Sequence, residues 1–172
     1  MKKYFIGMLA AVLVLSMFFV NGSASVAKAS ETKLLEFNSM VGLPRPYTGA
    51  TNAIRGINGG GKPWVIKFAE GELKANGELE IKVRGLVIDP NEPNFPPAGT
   101  NPAGNFKAIV SCLSKDPMTG AAVTVNVSTA TFPTDTAGNT DIEATVMLPS
   151  PCIAPIVFVA SGGGAWFAST GN

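Results

Sequence analysis

Asn76-Gly-Glu-Leu-Glu-Ile-Lys-Val-Arg84 alternates polar and apolar residues from Glu78 onward. Leu79, Ile81 and Val83 fall on one side, and Glu78, Glu80, Lys82 and Arg84 on the other. That period of two is the mark of an extended strand with one buried face. Asn76-Gly77 separates it from another β-rich run, Trp64-Val-Ile-Lys-Phe-Ala-Glu-Gly-Glu-Leu73, and marks a hairpin because both positions accept positive φ. Gly71 reads as a bulge.

Working outward, the pattern repeats. Residues 89–105 contain Pro90, Pro93, Pro96, Pro97 and Pro102, so they form neither strand nor helix and read as a long loop. Alternation returns at Phe106, Ala108, Val110 and Cys112, again at Val123, Val125 and Val127, and again at Ile142, Ala144, Val146 and Leu148. Upstream, residues 34–43 and Ala53-Ile-Arg-Gly-Ile57 read as strands. Near the C-terminus, Ile156-Val-Phe-Val-Ala160 is apolar on both faces, with Pro149, Pro151 and Pro155 as an extended lead-in. Either one face of that strand stays bare and forms a partner site, or the 89–105 loop covers it and the stretch is core.

Beyond the N-terminus, no stretch repeats apolar residues at helical spacing over three turns. With 19 glycines, 13 prolines and only 15% charged residues, the chain suits a turn-rich β-protein. The expected fold is all-β: an antiparallel sandwich of roughly eight strands, immunoglobulin-like or jelly-roll-like, with a small β-barrel as the alternative.

The first 29 residues carry Lys2 and Lys3, an apolar run from Tyr4 to Val20, and Ala27-Lys-Ala29. This order reads as a secretory signal cleaved after Ala29, leaving a single domain over residues 30–172 and no membrane association after cleavage. Three of the thirteen basic residues leave with the signal, so ten face twelve acids, a net charge of −2. That balance argues against nucleic acid as a partner, because such binding needs many cation–phosphate contacts. Export also brings Cys112 and Cys152, the only two cysteines, into an oxidising space where they are expected to pair. Closing a loop of 40 positions is worth about 4 kcal/mol on chain-entropy grounds. The other reading is two buried thiols.

The chain has no histidine. Ser-His and Cys-His nucleophile pairs, histidine bases and histidine metal ligands are therefore all excluded. No catalytic, metal or cofactor residue is assigned. The carboxylates Glu70, Glu72, Glu78 and Glu80 flank the hairpin and are read as a solvated face balanced by Lys67, Lys74 and Lys82, with glycosidase chemistry as the alternative. Asp135-Thr-Ala-Gly-Asn-Thr-Asp141 and Asp89-Pro-Asn-Glu-Pro-Asn94 offer oxygens to calcium but lack the EF-hand pattern, and read as turns. Asn126-Val-Ser128 fits the glycosylation sequon. A triple glycine precedes each tryptophan, in Gly59-Gly-Gly-Lys-Pro-Trp64 and Gly162-Gly-Gly-Ala-Trp166. Gly60, Trp64, Gly163, Trp166 and Phe158 are thus the candidate ligand or partner surface; a glycine turn followed by a core tryptophan is the structural reading, and the favoured one.

Arg55-Gly-x-x-Gly-Gly-Gly-x-Pro-Trp64, Val110-Ser-Cys-Leu113, Pro151-Cys-Ile-Ala-Pro-Ile-Val-Phe-Val159 and Gly163-Gly-Ala-Trp-Phe-Ala168 resemble a group of secreted bacterial proteins. The resemblance runs from about Arg55 to the end and implies an exported bacterial chain. It brings no assigned activity and no catalytic residues. The expected function is a secreted, non-enzymatic binding or surface module whose partner is a cell-surface polymer or a protein. The alternatives are an extracellular carbohydrate-active enzyme working through carboxylates and a structural coat or matrix protein.

Overall fold

The computed structural model describes residues 32–93 and 98–170. The expected signal, residues 1–29, lies outside them, as do Asn94, Pro96 and Pro97 of the long loop. The described residues contain twelve strands and no α-helix; one 3₁₀ turn covers Arg45–Tyr47. Strands β1 (Lys33–Phe37), β4 (Phe68–Lys74), β5 (Glu78–Arg84) and β10 (Thr140–Thr145) form one antiparallel sheet in the order β1-β4-β5-β10. Strands β2 (Met40–Gly42), β12 (Trp166–Thr170), β11 (Ile153–Ser161), β7 (Asn105–Lys115) and β8 (Ala122–Ser128) form the second, in that order, and β9 (Phe132–Pro133) also pairs with β7. Strands β3 (Trp64–Val65) and β6 (Val87–Ile88) make a small ribbon. This is the expected antiparallel sandwich, and its sheets do not close into a barrel.

The alternation read from the sequence supplies the core. Leu79, Ile81 and Val83 from β5, Leu73 from β4 and Ile142 from β10 are buried with Phe106, Ala108, Val110 and Cys112 from β7. Cys112 is disulfide-bonded to Cys152, which ties β7 to the start of β11 with Cα atoms 4.9 Å apart.

Several boundaries differ from the sequence reading, each for a local reason. The 34–43 segment divides into β1 and β2 because the chain crosses there from one sheet to the other. The β5–β6 run divides at Gly85, whose φ is +69°. Of the Asn76-Gly77 pair only Gly77 has positive φ, at +88°, and its N–H donates to Lys74 O at 2.9 Å. This is the three-residue turn closed by a left-handed glycine, not a two-residue loop. Gly71 is no bulge: it pairs in register with Ile81 beneath the Phe37 ring. Ala53–Ile57 is not a strand. Ile54 and Ile57 exchange backbone hydrogen bonds of 3.1 and 2.9 Å around Arg55 and Gly56, both at positive φ, which makes a minimal hairpin turn. β11 begins at Ile153, with a register break at Ala154 and Pro155.

The doubly apolar strand is covered on both faces, with Val157, Phe158, Val159 and Ala160 fully buried. Residues 44–63 reach the strands on either side of it: Arg55 Nη1 donates to Ser111 O on β7 at 3.0 Å, and Gly60 N–H donates to Trp166 O on β12 at 2.9 Å. The Tyr47 ring lies 6.3 Å from Trp166, which in turn lies 5.9 Å from Phe158. Of the expected covering loop, residues 94–97 lie outside the described residues, and buried Asn101 donates its side-chain N–H to Asp135 O at 2.9 Å.

Candidate functional site

The glycine–tryptophan residues do not assemble into a surface. Trp64 is 5% exposed, Trp166 2% and Phe158 0%. Trp64 stacks on Phe167 at 3.9 Å between centroids, an arrangement that uses the ring face a ligand would need. A Cβ on Gly60 would lie 2.7 Å from the Phe167 ring, so glycine here allows close packing. Gly163 sits exposed in the β11–β12 turn, apart from the buried rings. The two echoed motifs meet each other: Gly59 forms a parallel bridge with Trp166. Gly59 and Gly60 of the first motif thus pack against Trp166 and Phe167 of the second.

The oxygen-rich turns are likewise engaged internally. Asp135 Oδ1 accepts from Asn139 N–H at 2.8 Å, and its Oδ2 accepts from Asn139 Nδ2 at 2.9 Å. Those two bonds hold the Asp135 carboxyl below its ordinary pKa. Asp89 Oδ1 accepts from Asn91 N–H. Glu92, 4% exposed, pairs with Arg45 and with Lys62 at 3.7 Å. No group of three potential ligands suited to a metal occurs among the described residues. Asn126 Nδ2, the sequon nitrogen, donates to Arg55 O at 3.0 Å.

A different surface stands out. The solvent face of the four-stranded sheet forms an open groove of about 760 Å³ across β1, β4, β5 and β10. Its register sets Glu36 opposite Glu72, Glu72 opposite Glu80, and Glu80 opposite Glu143. Four glutamates therefore cross the sheet in one row. In the next row Glu70 and Asp141 flank Lys82. Directly opposed like charges in a sheet are destabilising, so such a row needs compensation.

Compensation covers only one end. Lys33 Nζ lies 3.0 Å from Glu36 and 2.9 Å from Glu72, and Lys74 lies 3.5 Å from Glu72. The Lys33 hydrogen bond is the main cause holding Glu72 below its ordinary pKa. Asp141 is lowered by its hydrogen bond to Arg84, whose Nη1 lies 2.7 Å away. Lys82 lies 3.6 Å from Glu70. Glu80 and Glu143 have no ion pair among the described residues, and Glu80 has a glutamate on each side.

Chemically, the groove offers acceptors to cations and hydroxyl donors. A glycosidase needs one carboxyl raised to serve as general acid. Here Glu72 and Asp141 are displaced downward, the wrong direction for that role. Glu92 is the only buried carboxylate among the described residues, and two cations occupy it. The sequence reading singled out Glu70, Glu72, Glu78 and Glu80 but missed Glu36 and Glu143, because only long-range strand pairing brings them into line.

Comparison with protein-family models, curated proteins and solved structures found no match.

Proposed function

We propose that this chain is an exported, non-enzymatic binding module that works at or outside the cell surface. In this reading the glutamate-lined groove grips an extended cell-surface polymer rich in ammonium or hydroxyl donors. One observation carries the reading: Glu80 and Glu143 stand directly opposed, with no ion pair among the described residues, in a row that folding alone disfavours. Local rules of this kind are broken where function requires it. A ligand bearing positive charge or hydroxyl donors satisfies the uncompensated end, and the groove's openness along the sheet suits a chain better than a small molecule.

Export rests on the order of charged, apolar and small residues over positions 1–29. The Cys112–Cys152 disulfide accords with an oxidising compartment. No helix among the described residues is long and apolar enough to cross a membrane.

The test is a screen of residues 30–172 against purified cell-wall and extracellular polymers, with Glu80→Gln/Glu143→Gln alongside. Binding by the native domain, weakened about tenfold or more in the double variant, is the expected result, since charge-assisted hydrogen bonds are worth about 1.5–3 kcal/mol. Absence of binding to every polymer, or equal binding by the variant, overturns the reading.

A further inference from the structure

We infer that the free edge of β8 pairs antiparallel with β8 of a second copy, joining the two larger sheets into one. β8 is the last strand of its sheet, and its pairing with β7 runs without irregularity over seven positions. The other outer strands carry features that discourage edge pairing. β1 has Lys33, Glu36 and a register break, β10 has Asp141 and Glu143, and β2 is three residues long. β8 has none of these. Its sequence, Ala122-Val-Thr-Val-Asn-Val-Ser128, lacks charge, proline and glycine, and no charged residue lies between Asp116 and Asp135.

The backbone groups available at this edge follow from the ladder. Thr129 N–H donates to Ala108 O at 3.0 Å, continuing the register in which Ile109 faces Ser128. Hydrogen-bonded and non-hydrogen-bonded pairs alternate in an antiparallel ladder. Val123, Val125 and Val127 therefore turn their N–H and C=O groups toward β7. Thr124, Asn126 and Ser128 turn theirs outward, and all three are exposed.

The strand complements itself. A two-fold axis through Val125 sets Thr124 opposite Asn126 of the other copy, with every outward N–H meeting an outward C=O. It also sets Val123 opposite Val127 and brings the two Val125 side chains together. These valines lie on the same side as Val110 and Cys112, their partners on β7, yet remain only half-buried at the rim of the core. A second copy extends that apolar stripe, and the isologous contact closes at two chains. The absence of charge over this segment removes like-charge repulsion between identical strands.

Sedimentation equilibrium of residues 30–172 with the disulfide intact, over about 1–500 µM, tests the inference. The native domain is expected to show a monomer–dimer equilibrium. Thr124→Pro removes an outward N–H while sparing the β7 ladder, and is expected to weaken association about tenfold or more with its thermal unfolding still cooperative. Val125→Lys places two ammonium groups across the axis and is a second variant should the first fail to fold. A native domain that is monomeric throughout, a dimer unaffected by the folded variant, or assembly beyond two chains overturns the inference. β8 lies in the opposite sheet from the glutamate groove, so polymer binding and dimerisation fail independently.

Discussion

Glu80 and Trp64 show how differently single residues disclose their roles. Tryptophan beside glycine suggests a ligand platform, yet both tryptophans are buried; glutamate on an alternating strand looks like ordinary solvated surface. Glu80 has a glutamate on each side, from strands eight and sixty-three residues away along the chain, and unlike Glu72 it has no ion pair among the described residues. No local pattern reveals such a row. Its cost is measurable: Glu80→Gln/Glu143→Gln is expected to raise the midpoint of thermal unfolding by about 1–3 °C through relief of like-charge pairs. A fall in the midpoint would mean that the two carboxylates stabilise the sheet, removing the observation on which the binding reading rests. Arg55 was similarly opaque, because its left-handed backbone and its hold on Ser111 O depend on a sheet far along the chain.

Elements were legible wherever alternation was clean and bounded by turn residues. β5, β7 and β8 lie close to where period two places them, and the β4–β5 hairpin forms at Asn76-Gly77 with a different turn. Boundaries failed where the chain changes sheets, as between β1 and β2, since an apolar run does not record which sheet it joins. The contacts beside β11 were hidden for a related reason. Residues 44–63 read as loop apart from Ala53–Ile57, and their hold on β7 and β12 comes through backbone groups and Arg55. The disulfide was legible from the cysteine count together with the expected export. Replacing both Cys112 and Cys152 by Ala is expected to lower stability by about 2–5 kcal/mol in denaturant unfolding. A loss below about 0.5 kcal/mol would show that β7 and β11 need no covalent tie.

For the whole molecule, charge sets the response to pH. Hydrogen bonds and nearby cations hold Glu72, Glu78 and Asp141 below their ordinary values, and local turn hydrogen bonds do the same for Asp116 and Asp135. Unfolding returns these groups to pKa values of about 4, so the unfolded chain takes up more protons in acid. Their contribution is full above that value and disappears as pH falls through the lower folded values. Lys33 and Lys74 are raised, so their share is full below about 10.5 and is lost in stronger base. With no histidine in the chain, the thermal midpoint is expected to stay nearly level from about pH 5 to 8 and to fall below about pH 4. A midpoint that climbed as the pH dropped below 4 would mean that repulsion within the glutamate row outweighs its ion pairs.

The most direct measurement is an amide chemical-shift titration of residues 30–172 with a polymer that binds in the screen. The expected result is saturable shifts concentrated on β4, β5 and β10, largest around Glu80 and Glu143. Saturable shifts concentrated on the second sheet or around the 44–63 segment, with β4, β5 and β10 unmoved, would contradict the account.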